Sequence, residues 1–199
     1  MQTCISCHGQ DGRADTGISF IVYPRNLQKS ILNEKQTYLV IKKGTYHWGS
    51  KADIMPSFES VLTDKQIAAL AYFIKKRFNP TAIQKVEILF EKSHKSIKYD
   101  KKMLEVGKRI YQENCILCHG KEGKGDGSFT KSKSKVILPY NFSKIILTNK
   151  QIFLYAKYGG HFFGANKITM HNWGDQYSDY ELMSVTKYID KSFRGVPDE

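Results

Sequence analysis

The 199-residue sequence contains four cysteines, which occur as two copies of one short motif. Residues 4–8 have the sequence CISCH and residues 115–119 have the sequence CILCH. Two thiols one helical turn apart, followed directly by a histidine, are the signature of covalent c-type haem attachment. Each thiol can add to one vinyl group of the same haem, and the adjacent histidine then faces the iron. The predicted attachment residues and proximal ligands are Cys4, Cys7, His8, Cys115, Cys118 and His119.

Three other uses of paired cysteines fit this pattern less well. A thioredoxin-like redox pair needs no adjacent histidine and usually precedes a helix in a βαβ unit, which the sequence does not indicate. A zinc site built from both pairs would need four ligands at short spacing, whereas the motifs lie 111 residues apart. Structural disulfides are expected between distant loops rather than between cysteines three residues apart. Because the motif occurs twice, each time followed by glycine, haem attachment is favoured.

The chain is also an internal repeat. The motifs align at an offset of 111 residues, and after a four-residue insertion in the second copy the offset becomes 115. Such matches at one offset indicate two copies of a single structural unit. The matched pairs include Pro24 with Pro139, Gly44 with Gly159, Gly49 with Gly164, Phe58 with Trp173 and Ile74 with Ile189.

Outside the motifs, methionine is the one iron-ligating residue type that both copies place identically, since Met55 aligns with Met170. His47, His161 and His171 align with residues other than histidine. A thioether is a soft, neutral ligand often found on the second axial position of haem in electron carriers. The repeat therefore predicts Met55 and Met170 as distal iron ligands, with His171 or His161 as alternatives to Met170.

The sequence predicts an all-α fold. Residues 63–66 (TDKQ) and 178–181 (SDYE) each contain a helix capping box, and apolar residues at helical spacing follow both. Residues 106–111 predict a further helix that runs into the second motif, and the glycine-rich residues 120–127 predict coil. Each copy is therefore expected to consist of a few helices and loops around one haem.

These features resemble the class I c-type cytochromes, and the resemblance covers nearly the whole chain in two copies. It rests on the haem motifs with their following glycines, on the proline loops at residues 24–27 and 139–142, and on residues 54–58 (IMPSF) before the last helix of the first copy. The resemblance implies that the motif histidine is the proximal ligand and the later methionine the distal ligand. In size, the chain is similar to dihaem carriers of the cytochrome c4 type.

In that family a proline carbonyl accepts a hydrogen bond from the proximal imidazole. The resemblance therefore implies that Pro24 serves His8 in this way and that Pro139 serves His119. Such a bond would fix the orientation of the ring and make the ligand more electron-donating.

The domain organisation follows from the repeat. We expect cytochrome c domains at residues 1–80 and 103–199, joined by a linker at residues 81–102 whose charged run, residues 91–98 with Lys101 and Lys102, is expected to be exposed. The first motif lacks the preceding helix that the family has there, so we expect an upstream segment or another chain to cover the face of residues 67–74.

The function implied by the resemblance is electron transfer rather than catalysis. We expect a dihaem c-type cytochrome that carries single electrons in an extracytoplasmic respiratory chain, either free or as the electron-transfer subunit of a larger oxidoreductase complex. The alternative is a dihaem enzyme, such as a peroxidase or a thiosulfate-oxidising enzyme, with one open or unusually ligated haem. His171 beside Met170, together with the nearby His161, favours that alternative.

Composition bears on the partners and the location. A net charge of +12 is expected to steer redox partner proteins with acidic docking surfaces, a membrane-bound respiratory complex among them; the alternative is a solvated surface without that role. No nucleic-acid partner is expected, because no recognition motif accompanies the charge. Since c-type haem is attached outside the cytoplasm, we expect the periplasm or the outer face of the cytoplasmic membrane, with no signal or anchor visible in the sequence.

Overall fold

The computed structural model describes residues 2–50, 55–95, 97–131, 139–165 and 170–195, and these form helices and turns without β-strands. The predicted all-α class is confirmed. In chain order the helices are α1 (Gln2–His8), α2 (Ser19–Val22), α3 (Glu34–His47), α4 (Asp64–Phe78), α5 (Ala82–His94), α6 (Met103–Ile110), α7 (Ile116–His119), α8 (Asn149–Phe162) and α9 (Asp179–Ile189). Shorter π-helical turns lie at Tyr111–Cys115 and Asp190–Arg194, and 3-10 turns lie at Ser128–Lys131 and Phe142–Lys144.

Helices α3, α4, α8 and α9 each begin with a capping box. The boxes at Thr63 and Ser178 begin α4 and α9, as the sequence predicts. Equivalent boxes at Asn33 and Thr148 begin α3 and α8. In each box the cap side chain accepts a hydrogen bond from the backbone N–H three residues later, which stabilises a helix by about 1 kcal/mol. The two copies therefore begin their corresponding helices in the same way.

The second copy has a core in which α6 crosses α9. The crossing is close, because a Cβ added to Gly107 would lie 2.0 Å from the carbonyl oxygen of Ser184. The buried side chains around it are Ile110, Tyr111, Phe142, Ile152, Val185 and Ile189. The predicted helix before the second motif is thus α6.

In the first copy, α4 packs on α3 through the buried Ile41, Ile67 and Ala71. The other face of α4 carries Tyr72 and Phe73, both of which are exposed. Along the segment 67–74, one face of the helix is therefore buried and the opposite face is exposed. Along the described ranges, no helix has the length and apolar character needed to cross a bilayer.

The segment between the copies contains helix α5, and within the charged run predicted to be exposed, Ser93 and Ile97 are buried while the lysines are exposed. Val86 and Phe90 are buried against α8, where the rings of Phe90 and Phe153 meet edge to face with centroids 5.7 Å apart. Four of the 13 residues of α5 are charged, and its buried residues Ala82, Val86 and Phe90 recur at helical spacing on one face. The domain boundaries at residues 80 and 103 stay a prediction.

The two copies pack against each other through an exchange of equivalent contacts. Gln36 and Gln151 occupy matching repeat positions, and their buried amides bond reciprocally, with Nε2–Oε1 distances of 2.7 and 3.0 Å. The same amides donate to the carbonyls of Ile146 and Ile31, which also match each other, both at 2.7 Å. A contact in which each partner repeats the role of the other is the mark of two-fold packing.

A second exchanged pair extends this arrangement. The backbone N–H of Asn26 donates to the carbonyl of Gly164 at 2.9 Å, and that of Asn141 donates to the carbonyl of Gly49 at 3.0 Å. These four residues also match at an offset of 115. The copies are therefore related by an approximate two-fold axis.

We expect Gln36→Ala and Gln151→Ala each to lower the free energy of unfolding by about 1–3 kcal/mol, because each leaves the partner amide buried without its hydrogen bond. The double variant should cost less than the sum of the two single variants, since the residues interact directly. Urea unfolding measures both quantities. Gln66→Ala is the matched control, because Gln66 closes the capping box of α4 on an exposed surface. Single-variant losses equal to that control would contradict the interface role.

Candidate functional site

A cavity of about 1370 Å³ runs through both copies. It exceeds the roughly 300–1,000 Å³ typical of a small-molecule pocket. The residues that the sequence predicts to hold haem all line it: Cys4, Cys7, His8, Pro24, Met55, Cys115, Cys118, His119, Pro139 and Met170. The structure thus brings both motifs and both methionines to one space.

The four thiols of the motifs are free. Cys4 and Cys7 lie on α1. Cys115 is the last residue of the π-helical turn, and Cys118 lies on α7. Burial raises the pKa of Cys115 to about 12 and also raises the pKa of Cys118. Redox-active cysteine pairs depend on a lowered thiol pKa, so the second motif lacks the electrostatics of a thioredoxin-like site.

The imidazole of His8 lies with Nδ1 3.1 Å from the carbonyl oxygen of Arg25. A carbonyl can only accept, so Nδ1 carries the proton and Nε2 is left as the ligating nitrogen. Burial lowers the pKa of His8, which keeps the ring neutral. The expected acceptor is the carbonyl of Pro24, whereas the observed acceptor is the carbonyl of the next residue, Arg25. Sequence spacing identifies this loop but not which of two adjacent carbonyls faces the ring.

His119 differs from His8 in its hydrogen bonding. Its Nδ1 atom is buried and has no hydrogen-bond partner among the described residues, and its ring stacks on that of Phe142 at 4.5 Å. The expected bond to Pro139 is therefore wrong, and the Pro139 carbonyl instead lies against Gly125, where an added Cβ would approach it to 2.2 Å. Burial lowers the pKa of His119 to about 4, so the ring is neutral, as iron ligation requires.

Kinks in α3 and α8 hold the two methionine loops. Gly44 and Gly159 have φ values of 72° and 75°, and a Cβ on either would lie 2.7 or 2.8 Å from the carbonyl oxygen of Met55 or Met170. Those carbonyls accept matching 3.0 Å hydrogen bonds from the N–H groups one residue past each kink. The sequence shows these glycines only as a repeat match, and the structure gives their role.

The two histidine alternatives to Met170 differ in position. His161 is exposed, with Nδ1 3.1 Å from the carbonyl oxygen of Ala165 in its own turn. His171 is also exposed but lines the cavity, and its Nε2 lies 3.3 Å from the amide of Gln176. Met170 is partly buried and packs on the core of the second copy. The geometry therefore favours Met170 over His161 and leaves His171 at the rim.

The described residues contain no group of three His, Cys, Asp or Glu side chains that could hold a metal ion by themselves. What they offer instead is, in each copy, a pair of thiols, a neutral imidazole and a thioether around a largely apolar space. The buried, unpartnered Nδ1 of His119 lies in the same site. This donor set fits a covalently held haem.

The model of the family "Cytochrome C oxidase, cbb3-type, subunit III" matches residues 1–74 and 102–189. The chain belongs to this cytochrome c family. Covalently bound haem c follows from that membership, and each matched region contains one of the CxxCH motifs. No curated protein matches this cytochrome.

Among solved structures, this cytochrome is similar to a chain of the Kuenenia stuttgartiensis reducing HAO-like protein complex Kustc0457/Kustc0458. The two chains are 22% identical, the alignment covers 96% of this chain and 92% of that chain, and the TM-score is 0.50. At this level of identity the likeness concerns the fold alone.

We expect Gly44→Ala and Gly159→Ala to destabilise the cytochrome by about 1–3 kcal/mol each, because a side chain at positive φ is strained. The contact with the methionine carbonyl adds to this cost. Thermal unfolding followed by circular dichroism measures the change. Gly17→Ala is the control, since nothing lies within 4 Å of a Cβ there. Equal effects at all three positions would contradict the role assigned to the kinks.

Lys75 lines the cavity with 9% of its surface exposed, and burial lowers its pKa to about 8. Between pH 8 and about 10.4 the folded state holds this residue neutral while the unfolded state keeps it charged. The unfolded state then binds more protons, so stability rises with pH in that window, by up to about 3 kcal/mol. Denaturant unfolding at pH 7 and pH 9.5 should show this rise in the wild type and not in Lys75→Met.

Lys76→Met is the matched control for this pH dependence, because Lys76 is the exposed neighbour on the same helix. It should keep the rise of the wild type. A rise of equal size in Lys75→Met would contradict the burial of an unpaired charge at Lys75.

Proposed function

We propose that this chain is a dihaem c-type cytochrome that carries single electrons between redox partner proteins. The proposal is supported chiefly by one observation: the same set of potential haem-binding side chains occurs twice in the lining of one cavity. Each copy supplies two thiols, an imidazole and a thioether, and both methionine loops rest on the same glycine kink. A single haem would leave one of these sets without a role.

The thiols of each motif would hold the haem covalently, and the neutral imidazoles of His8 and His119 would serve as iron ligands. Met55 and Met170 would supply the remaining protein ligands. When bound, haem c supplies one-electron chemistry between ferric and ferrous iron. A thioether ligand favours the reduced state more than a second imidazole would, so moderately high reduction potentials are expected.

The protein's own contribution is to exclude water and keep the ligands in place. Apolar side chains from both copies make up most of the cavity wall, and the Arg25 carbonyl fixes the ring of His8. The hydrogen bonds from Thr45 and Gly160 fix the methionine loops. With two protein ligands on each iron, no coordination position is left for a substrate, which favours electron transfer over catalysis.

A surface groove beside the Met55 loop supports docking of an acidic partner. Its lining includes Lys43 and His47 from the first copy and Lys144 from the second, next to Pro56 and Ser57. The groove thus combines basic groups from both copies near one predicted distal ligand. Together with the net charge of +12, it favours partners with acidic docking surfaces and an association rate that falls as salt rises.

The proposal extends to the setting of the chain. It would act on the outer side of the cytoplasmic membrane or in the periplasm, either free or as a subunit of a larger oxidoreductase complex. The name of the matched family includes an oxidase subunit, which supports the second form.

A dihaem enzyme, such as a peroxidase or a thiosulfate-oxidising enzyme, is the second candidate. The cavity position of His171, directly after Met170, is the observation in its favour. In such an enzyme the second iron would be open or unusually ligated, and carbon monoxide would bind to it after reduction.

Intact mass and absorption spectra of the purified holoprotein test these proposals. We expect two covalent haems per chain, a far-red methionine-to-iron band of two-haem intensity, and no spectral response to carbon monoxide. Met55→Leu and Met170→Leu should each halve the band and open one haem to carbon monoxide. Met183→Leu should leave the spectrum unchanged, because Met183 is buried in the core and does not line the cavity.

Three outcomes would contradict the carrier proposal. One haem per chain would remove the dihaem assignment. A carbon monoxide response in the wild type would support the enzyme candidate. A band unaffected by Met170→Leu would remove Met170 as a ligand and make His171 the residue to substitute next.

A further inference from the structure

The charged side chains that line the cavity are distributed unequally between the copies. Among the described lining residues, Arg25 and Lys75 are the members of the Lys, Arg, Asp and Glu set, and both belong to the first copy. At the matching positions of the second copy stand Tyr140 and Asp190. The approximate two-fold symmetry of the fold is thus broken in charge.

Lys75 belongs to the first site alone. It lies near the end of α4, buried, and its ammonium forms no ion pair or hydrogen bond with a described residue. Its helix continues into Phe78 and Asn79, which contact Gly12 and Ser30 of the same copy. Below pH 8 this side chain places a positive charge in the first half of the cavity.

Arg25 lies at the seam between the sites. Its carbonyl accepts the hydrogen bond from His8, while its guanidinium Nη1 donates to the hydroxyl of Tyr155 at 3.1 Å. The guanidinium carbon is also 5.7 Å from the centre of the Tyr155 ring. No described carboxylate forms an ion pair with it. Since it contacts the walls of both halves, its charge acts on both sites.

Within the part of the chain that the structure describes, the second half of the cavity has no counterpart to Lys75. Asp190, at the matching position, does not line the cavity and instead pairs with Arg194 at 2.9 Å. The polar groups that the second copy contributes to the lining include Asn114, Tyr140, Tyr155 and His171. Apart from the shared Arg25 and the histidines, the described residues around the second site are therefore uncharged.

A fixed positive charge stabilises the more negative of two redox states. Reduction of iron adds one negative charge, so a buried cation nearby favours the reduced form, and a low-dielectric surrounding strengthens the effect. The same direction holds where the cation neutralises a carboxylate of the bound haem, because the second site would keep that carboxylate uncompensated.

We propose that the first site has the higher reduction potential and receives electrons from the second, with Lys75 as the residue that sets the order. This rests on the dihaem function proposed above. In the internal step one electron leaves the reduced second site, which is oxidised, and enters the oxidised first site, which is reduced. No bond forms or breaks. Electrons from a donor would therefore enter at the second copy and leave to an acceptor at the first.

A potentiometric titration of the holoprotein at pH 7, followed in the visible spectrum, tests the order. We expect two resolved one-electron steps in the wild type. Lys75→Met should lower the upper potential and leave the lower one unchanged. Lys75→Arg keeps the charge and should restore the upper potential. Lys76→Met removes a charge from the exposed neighbour on α4 and should move neither step beyond a small common shift.

The variant Arg25→Gln tests how the second buried cation affects the two reduction potentials. Because Arg25 lies at the seam, we expect both steps to fall in this variant. This pattern separates the two cations by their position, since Lys75→Met should move one step and Arg25→Gln both. If the upper potential alone fell in both variants, the placement of Arg25 between the sites would be contradicted.

The proposal is overturned by two coincident steps in the wild type, by a fall in the lower step in Lys75→Met, or by a shift no larger than that of Lys76→Met. The haem count keeps this failure apart from failure of the proposed function. Two haems with the wrong order of potentials would reject the inference alone, whereas one haem per chain would reject the dihaem function. Removal of an unpaired buried charge does not threaten folding, so Lys75→Met yields a titratable protein.

Discussion

The constraint on which this fold depends is that its helices surround a space instead of filling one. Protein interiors normally pack as densely as organic crystals, with few voids larger than a water molecule. Here a cavity of about 1370 Å³ runs through both copies, and the apolar side chains that would otherwise form a continuous core face it. The first copy shows this most clearly, because its buried cluster consists of Ile41, Ile67 and Ala71. Covalent attachment suits such a fold, since a group that completes the core cannot be allowed to leave.

The repeat imposes the second constraint, which is that one set of local solutions must serve two sites. The kink glycines, the methionine loops and the amide exchange between Gln36 and Gln151 each occur as matched pairs. The residue types at these positions are constrained by backbone geometry at the glycines and by direct contact between the copies at the glutamines. The positions free to differ are those that do not hold the backbone, and one of them is Lys75, which lines the cavity, with its match Asp190, which does not. The repeat therefore determines the backbone that the two copies share, and the two sites differ at positions where the repeat residues do not match.

The sequence predicts those parts of the molecule that depend on short-range chemistry. The haem motifs, the capping boxes at Thr63 and Ser178, and the all-α class need only residues within a few positions of each other. The alignment of the copies adds Met55 and Met170, because a repeat compares distant residues without a structure. Both methionines line the cavity, although their ligation stays a prediction.

What the sequence does not predict depends on packing between distant segments. Helix α5 falls in the segment predicted as a linker, because its buried face is recognised only once α8 is placed against it. The acceptor for His8 is the Arg25 carbonyl and not that of Pro24, because the direction of a carbonyl depends on the path of the whole loop. The exchange between Gln36 and Gln151 joins residues 115 positions apart, each of which also serves as a local cap. The local role is visible in the sequence, and the long-range role is not.

The cost of Lys75 links stability to function. A buried ammonium without a partner is destabilising, and its lowered pKa expresses that cost. A methionine would fill similar space at the end of α4 without it, so packing alone gives no reason for a lysine there. Under the proposed function the site would gain and lose one negative charge, and the same ammonium would stabilise the reduced state over the oxidised one. Among the described residues, the feature that weakens the fold is thus one that distinguishes the two halves of the cavity, and under the proposed function such a difference would direct an electron from one site to the other.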